Sequence, residues 1–291
     1  MTSRVHSPTA GRRRLRNTLR RVRDQVRLTQ EQVAEAMDWS LSKVIRIETG
    51  GVGISTSDLR QLLQLYEVSD PDQVAELVEL ARVGRRRPWW TQFREALPAG
   101  YLSYIGLEDE SSALRCVSPV GLPGLLQTEE YSRAVVEASW WAVRPSAHGP
   151  ATATDRINVR QIRQREVLHR DRPPEITAIL DEAVLWRQIG GPEVLRRQLR
   201  HLVTLGSEPH ITIQVLPFSA SMMNMLSHFV LMEFSDPADP DAVYVESAFD
   251  HTLLEGEEIE TYRNAFSRLR DASLAAEDSL TLIEQVADRL A

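Results

Sequence analysis

Only one cysteine, Cys116, and one lysine, Lys43, occur in 291 residues. A lone cysteine excludes a disulfide within the chain and matches a reducing cytoplasm. Its simplest role is that of a small buried apolar side chain rather than a reactive thiol. Arginine carries all but one of the 34 positive side chains, a bias that coding composition explains as well as side-chain chemistry does. No apolar run approaches the roughly 18 residues of a membrane span. The arginine-rich start also lacks the apolar stretch of a secretory signal. The seven histidines, at 6, 148, 169, 201, 210, 228 and 251, show no paired ligand spacing with one another or with Cys116. A phosphate-binding glycine loop, a dinucleotide fingerprint and a G-x-S-x-G elbow are missing as well. Glu108, Asp109 and Glu110 cluster, as carboxylates do for acid–base work, but read more simply as solvated side chains at a helix start. These absences lead to the expectation of a cytoplasmic protein with no membrane association, catalytic residue, metal or cofactor.

What is present is the composition of a globular protein, 42% hydrophobic and 26% charged. The length suits about two domains. The net charge of −7 is unevenly spread: residues 1–94 hold 17 basic and 11 acidic side chains, a balance of +6, and residues 95–291 hold 17 basic and 30 acidic, a balance of −13. A basic head on an acidic body is the asymmetry of a DNA-binding module with a separate regulatory part.

Within the head, residues 28–50 read LTQEQVAEAMDWSLSKVIRIETG. Thr29 with Gln32 three residues later forms a capping box, predicting a helix from about Gln30 to Met37 with Val33, Ala34 and Met37 facing inward. Ser40 caps a second helix from Leu41 to about Thr49, with Val44 and Ile47 inward and Gly50-Gly51 closing the run. Ser42, Lys43 and Arg46 then face outward, where an ordinary helical hairpin would merely solvate them and a major groove would use them.

This segment resembles the Xre-type (lambda-repressor-like) helix-turn-helix. The resemblance implies that Gln30 touches a DNA phosphate and that Ser40, Leu41, Ser42, Lys43 and Arg46 read base edges. In two turns where the family usually carries glycine, this chain has Arg27 and Asp38. Around the motif the sequence predicts a helix from Arg12 to Arg27 with seven arginines beside its apolar face, one from Asp58 to Glu67 capped by Ser57, and one from Pro71 to Val83 opened by Asp70. The expected domains are thus a five-helix DNA-binding head at 10–83, a linker at 84–98 and a larger α+β domain at 99–291, with residues 1–10 disordered. Trp89-Trp90 reads as an anchor of the linker to the second domain's core rather than as a base-stacking pair.

In the larger domain a helix is predicted for Glu108 to Val117, another from about Thr128, and a basic one from Asp155 to His169. The short runs ITAILDEAV, HITIQVLPF, FVLMEF and AVYVES predict strands of a mostly antiparallel sheet, with helices at 192–205, 257–274 and 277–290. His148-Gly149-Pro150 reads as a loop, and Met222, Met223 and Met225 as a Met-rich surface loop or a core filler. LPGLLQTEEYSRAVVEA, IRQREVLHR, DEAVLWRQIGGPEVLRRQL and ITIQVLPFS resemble the body of a large actinobacterial regulator family, often described as antitoxin-like, that joins an Xre-type head to a C-terminal domain of unknown function. Together the two resemblances imply a sequence-specific regulator that binds double-stranded DNA as a homodimer on a palindromic operator. Its C-terminal domain would respond to a small partner protein or to a small-molecule effector, and the sequence leaves both open.

Overall fold

A computed structural model of the chain describes residues 8–49, 52–85, 88–95, 97–138, 153–220, 228–236, 239–246 and 251–290. The chain divides into two compact units between Trp89 and Trp90.

The first unit holds five helices among its described residues: α1 (Pro8–Gln25), α2 (Gln30–Ala36), α3 (Leu41–Glu48), α4 (Thr56–Leu65) and α5 (Pro71–Val83). Their apolar stripes meet in one core, with Leu15, Leu19 and Val22 of α1, Val33 of α2, Val44 and Ile47 of α3, Leu59, Leu62 and Leu63 of α4, and Leu77 and Leu80 of α5. The capping box on α2 forms, with Thr29 accepting from the Gln32 amide while the Gln32 side chain accepts from Thr29. Two expectations are corrected. Helix α1 begins at Pro8 rather than Arg12, which leaves only residues 1–7 of the expected disordered start, and these lie outside the described residues. Ser55, not Ser57, caps α4, because Ser55 is extended (φ −70°, ψ 152°) and its hydroxyl reaches the Asp58 amide, while Ser57 is already helical. Gly50 and Gly51, expected to end α3, lie outside the described residues, as do His148-Gly149-Pro150 and Met222, Met223 and Met225.

The turns around α2 keep the geometry that glycine would make easy. Arg27 and Asp38 are both left-handed, at φ 56° and 53°.

The second unit is an α+β domain. Its described helices are α6 (Ala99–Glu108), α7 (Glu129–Ala138), α8 (Ala153–Leu168), α9 (Glu182–Trp186), α10 (Pro192–Leu205), α11 (Glu258–Ala272) and α12 (Ala276–Arg289). Its strands are β1 (Ala113–Ser118), β2 (Glu175–Asp181), β3 (Ile211–Leu216), β4 (His228–Glu233), β5 (Ala242–Glu246) and β6 (His251–Leu254), in the order β3-β2-β1-β4-β5-β6. β1, β2 and β3 run parallel, whereas the β1–β4, β4–β5 and β5–β6 pairs are antiparallel. The predicted mostly antiparallel sheet is present, with a parallel half added by the crossovers through α7–α8 and α9–α10.

Alternate strand residues feed two cores. Leu114, Ile176, Ile213, Val230 and Tyr244 point to the face covered by α10 and α12, whose Leu199, Leu202, Ile283 and Val286 join them. Val117, Ile179, Phe229 and Val243 point to the opposite face, under Ile259, Phe266 and Leu269 of α11. The predicted strand ITAILDEAV stops at Asp181, whose side chain accepts from the Ala183 amide and caps α9, so Glu182–Val184 are helical rather than extended. Double burial explains another element of the wrong type. Residues 113–118 were expected at the end of a helix, but they form central strand β1, whose two covered faces remove the polar alternation that marks a strand. Gly100 of α6 lies so close to β6 that an added methyl group would overlap the His251 carbonyl oxygen.

Candidate nucleic-acid interface

Helix α3 is divided lengthwise. Val44, Ile47 and Glu48 are buried, while Leu41, Ser42, Ile45, Arg46 and Thr49 are exposed on the other side. The exposed set falls at i, i+1, i+4, i+5 and i+8, a single helical face.

The inward Glu48 is a charge inside a small core. Its carboxylate accepts Arg23 Nε at 2.7 Å and Nη2 at 3.2 Å from α1, and Gln30 Nε2 at 2.7 Å from α2. Arg23 also donates to the Leu28 carbonyl at 2.9 Å, in the turn before α2. The hydrogen bond to Glu48 holds the Arg23 guanidinium above its ordinary pKa. Burial, with Glu48 adding to it, likewise pushes the neighbouring Tyr66 phenol upward. One carboxylate thus ties the first turn of α2 and the last turn of α3 to the middle of the head.

The residues singled out from the sequence have distinct settings. The Gln30 side chain spends one amide hydrogen on Glu48. The Ser40 hydroxyl oxygen is the α3 cap, accepting from the Lys43 amide at 3.2 Å. Leu41 and Ser42 stand on the exposed face. Arg46 is exposed too, its Nε 3.3 Å from the Ser42 carbonyl one turn back. Lys43 turns aside: its ammonium group binds Asp58 at 3.0 Å and sits 3.7 Å above the Trp39 ring. Ile45 was not singled out by the sequence reading, although an apolar residue outside the Val44/Ile47 stripe was visible there. It and Leu41 are two of the few large apolar side chains exposed among the described residues.

The arginines of α1 serve the head more than its surface. Arg14 pairs with Glu76, Arg23 with Glu48, Arg12 donates to the Gly84 carbonyl and Arg13 is buried. Arg12, Arg16 and Arg20, at i, i+4 and i+8, and the exposed Arg21 stay on the outer surface of the helix.

In the second unit the acidic cluster also departs from expectation. Glu108 is fully buried at the C-terminal end of α6, where Arg163 of α8 meets it with Nε–Oε2 at 2.7 Å and Nη2–Oε1 at 2.5 Å. Arg163 Nη1 donates to the Tyr101 hydroxyl at 2.6 Å, and the Tyr104 hydroxyl donates to Glu108. Burial alone would lower the Arg163 pKa. Glu108, Tyr101 and Tyr104 more than offset it, so the guanidinium is held well above its usual value. Tyr104 stacks on Tyr244 at 4.0 Å between ring centroids, and the Tyr244 hydroxyl lies 2.6 Å from His251 Nδ1. Cys116 is buried on β1, where burial pushes its thiol up to about 12, the opposite of thiolate activation. Among the described residues no group of three or more metal-ligating side chains converges, and no helix is long and apolar enough to cross a membrane.

Comparison with known families agrees with this division. Residues 14–77 match a helix-turn-helix domain, the class of module that suggests a DNA-binding regulator. Residues 101–285 match the Domain of unknown function (DUF5753). That match takes in most of the chain, which belongs to this family. The chain matches no curated protein and no solved structure.

Proposed function

We propose that the chain is an Xre-type, sequence-specific transcriptional regulator that inserts α3 into the major groove of double-stranded DNA. The observation that carries this reading is the exposed face of α3, with Ser42 and Arg46 beside Leu41 and Ile45, on a helix clamped from within by Glu48. Arg46 would pair with a guanine edge, Ser42 with one of several bases, and the two apolar side chains would cover thymine methyl groups. Lys43 reads a base only by exchanging Asp58. That ion pair is about one-third exposed on both sides, so the exchange costs at most about 1 kcal/mol. Gln30 keeps a second amide hydrogen for a phosphate oxygen, and the Ser40 hydroxyl hydrogen is likewise available beside its capping bond.

One such helix covers only a few base pairs. Two heads on a palindromic operator, spaced by about one helical turn of ~34 Å, would supply the specificity, which makes the working form a homodimer. The acidic second unit would govern the head in an antitoxin-like manner through a small partner protein, or through a small-molecule effector, in the actinobacterial cytoplasm. No enzymatic role is assigned. The deciding experiment is selection of bound sequences by the full chain from a random DNA library. Enrichment of a palindrome is expected, and a library that emerges without a motif overturns the reading.

A further inference from the structure

We propose that a cavity in the second unit is a binding site for a small organic anion, whose acidic group is held by Arg156 and Arg160. The cavity encloses about 310 Å³, at the lower end of the range for small-molecule sites. Its floor is the end of the sheet, where His228, Glu246 and His251 are register neighbours across β4, β5 and β6. One wall is α6 with Tyr101, and another is α8 with Arg156, Arg160 and Arg163.

Those three arginines fall at i, i+4 and i+7, so they share one face of α8. Arg163 is already spent on Glu108 and the two tyrosines. Arg156 and Arg160 are different. Both are half-buried, neither has a hydrogen bond or ion pair among the described residues, and Arg156 Nε is removed from water without an acceptor. A guanidinium nitrogen removed from water without an acceptor, as at Arg156, is unfavourable. With half-buried Arg160 one turn along the same wall, the pair forms a receptor for a negative group, and guanidinium forks fit carboxylate, sulfonate and phosphate alike.

Among the described residues Glu246 is the one carboxylate lining the same cavity. It stands on the sheet rather than on α8, so the cationic and anionic linings come from different walls. Arg156 and Arg160 against Glu246 leave a balance of +1. Burial keeps His228 neutral near pH 7 by lowering its pKa. Leu97, Val135 and Ile189 complete an apolar lining, which calls for a hydrocarbon body and makes a bare inorganic ion a poor match.

The site itself needs no DNA. Its role as the effector pocket of the regulator rests on the function proposed above, so the two ideas fail separately. The test uses two fluorescent probes with the same aromatic body, 8-anilino-1-naphthalenesulfonate and its uncharged counterpart N-phenyl-1-naphthylamine, titrated into the full chain. Saturable binding at one site per chain is expected, with the sulfonate favoured by about tenfold, the effect of one charge-assisted hydrogen bond. The double substitution Arg156→Gln and Arg160→Gln should weaken the sulfonate at least ~10-fold and leave the neutral amine unchanged. Replacement of both by lysine should restore much of the preference. Retained amine binding shows that the cavity persists in the glutamine variant. Equal affinity of wild type and glutamine variant for the sulfonate, or parallel loss of both probes with the lysine variant no better than the glutamine one, overturns the proposal.

Discussion

Arg23 and Glu48 grip each other from α1 and α3 through two hydrogen bonds, at 2.7 and 3.2 Å, with the carboxylate 2% exposed. Because Gln30 shares the same carboxylate, the relative setting of α1, α2 and α3 depends on one buried charge. Without Glu48, Arg23 is 14% exposed and keeps Asp24 at 2.9 Å and the Leu28 carbonyl at 2.9 Å, so the loss falls short of the about 3–5 kcal/mol of an ion left wholly uncompensated. Glu48→Ala should destabilise the head by about 2–3 kcal/mol, the scale of the charged hydrogen bonds it loses, read by denaturant titration with amide exchange followed in α2 and α3. A loss under about 1 kcal/mol, the value of an exposed pair, would show that the clamp contributes little.

Left-handed backbone at Arg27 and Asp38 gives a prediction of the opposite sign. A non-glycine residue in this region costs about 1–2 kcal/mol, less for Asp, whose short polar side chain tolerates it. Glycine relieves the clash while adding unfolded-state entropy, which offsets about 0.5–1 kcal/mol of the gain. Arg27→Gly should therefore stabilise the head by a fraction of a kcal/mol to about 1 kcal/mol, and Asp38→Gly by less. Unchanged or reduced unfolding midpoints for Arg27→Gly would refute the strain assignment.

Substitutions on α3 and α2 should separate reading from anchoring. Arg46→Ala should relax preference at one base pair, by about 1–3 kcal/mol of discrimination. Ile45→Ala should diminish selection of a thymine. Gln30→Ala should weaken all sequences by similar factors, as loss of a phosphate contact does. Binding to a panel of operator variants measures all three, and an unaltered ranking with Arg46→Ala removes that residue from base reading.

The second unit should lose stability in mild acid. Burial lowers the pKa of His228 from 6.5 in the folded chain, with Glu246 pulling the other way, and burial lowers His201 in the same direction. A histidine with a depressed folded pKa stabilises fully above its unfolded value. The contribution then fades as pH falls through 6.5 toward the folded value, because the unfolded chain binds more protons in that window. The Ser118 hydroxyl lies 3.0 Å from His228 Nδ1, so His228→Gln can keep a hydrogen bond there while removing the titration. Unfolding midpoints measured from about pH 7 to about pH 5 should fall less steeply in that variant; an identical slope would assign the effect elsewhere.

Much of the fold is written locally and is readable for that reason. The capping box at Thr29, the Ser40 cap, the Asp70-Pro71 start of α5 and the Pro192 start of α10 are each fixed by two or three neighbouring residues. β1 was illegible because burial on both faces gives it no alternation, and β6 has only four half-buried residues. Burial of Glu108 depends on Arg163, 55 residues away, and sequence spacing carries no trace of such a meeting. The cavity is harder still, since its lining runs from Leu97 to His251 over several elements. On α3 the outward positions were readable from the 3.6-residue period, but the turn of Lys43 toward Asp58 was set by α4 and its cap.

Gly100 gives the cavity its gauge. Because α6 rests against the His251 carbonyl through a bare α-carbon, a hydrogen atom there, together with the Tyr104–Tyr244 stack, sets the gap between Tyr101 and the sheet. A single methyl there would act as a shim, pressing on His251 itself and levering the tyrosine wall away from the histidine floor. The bore of this domain is thus adjustable from a position that a ligand never meets.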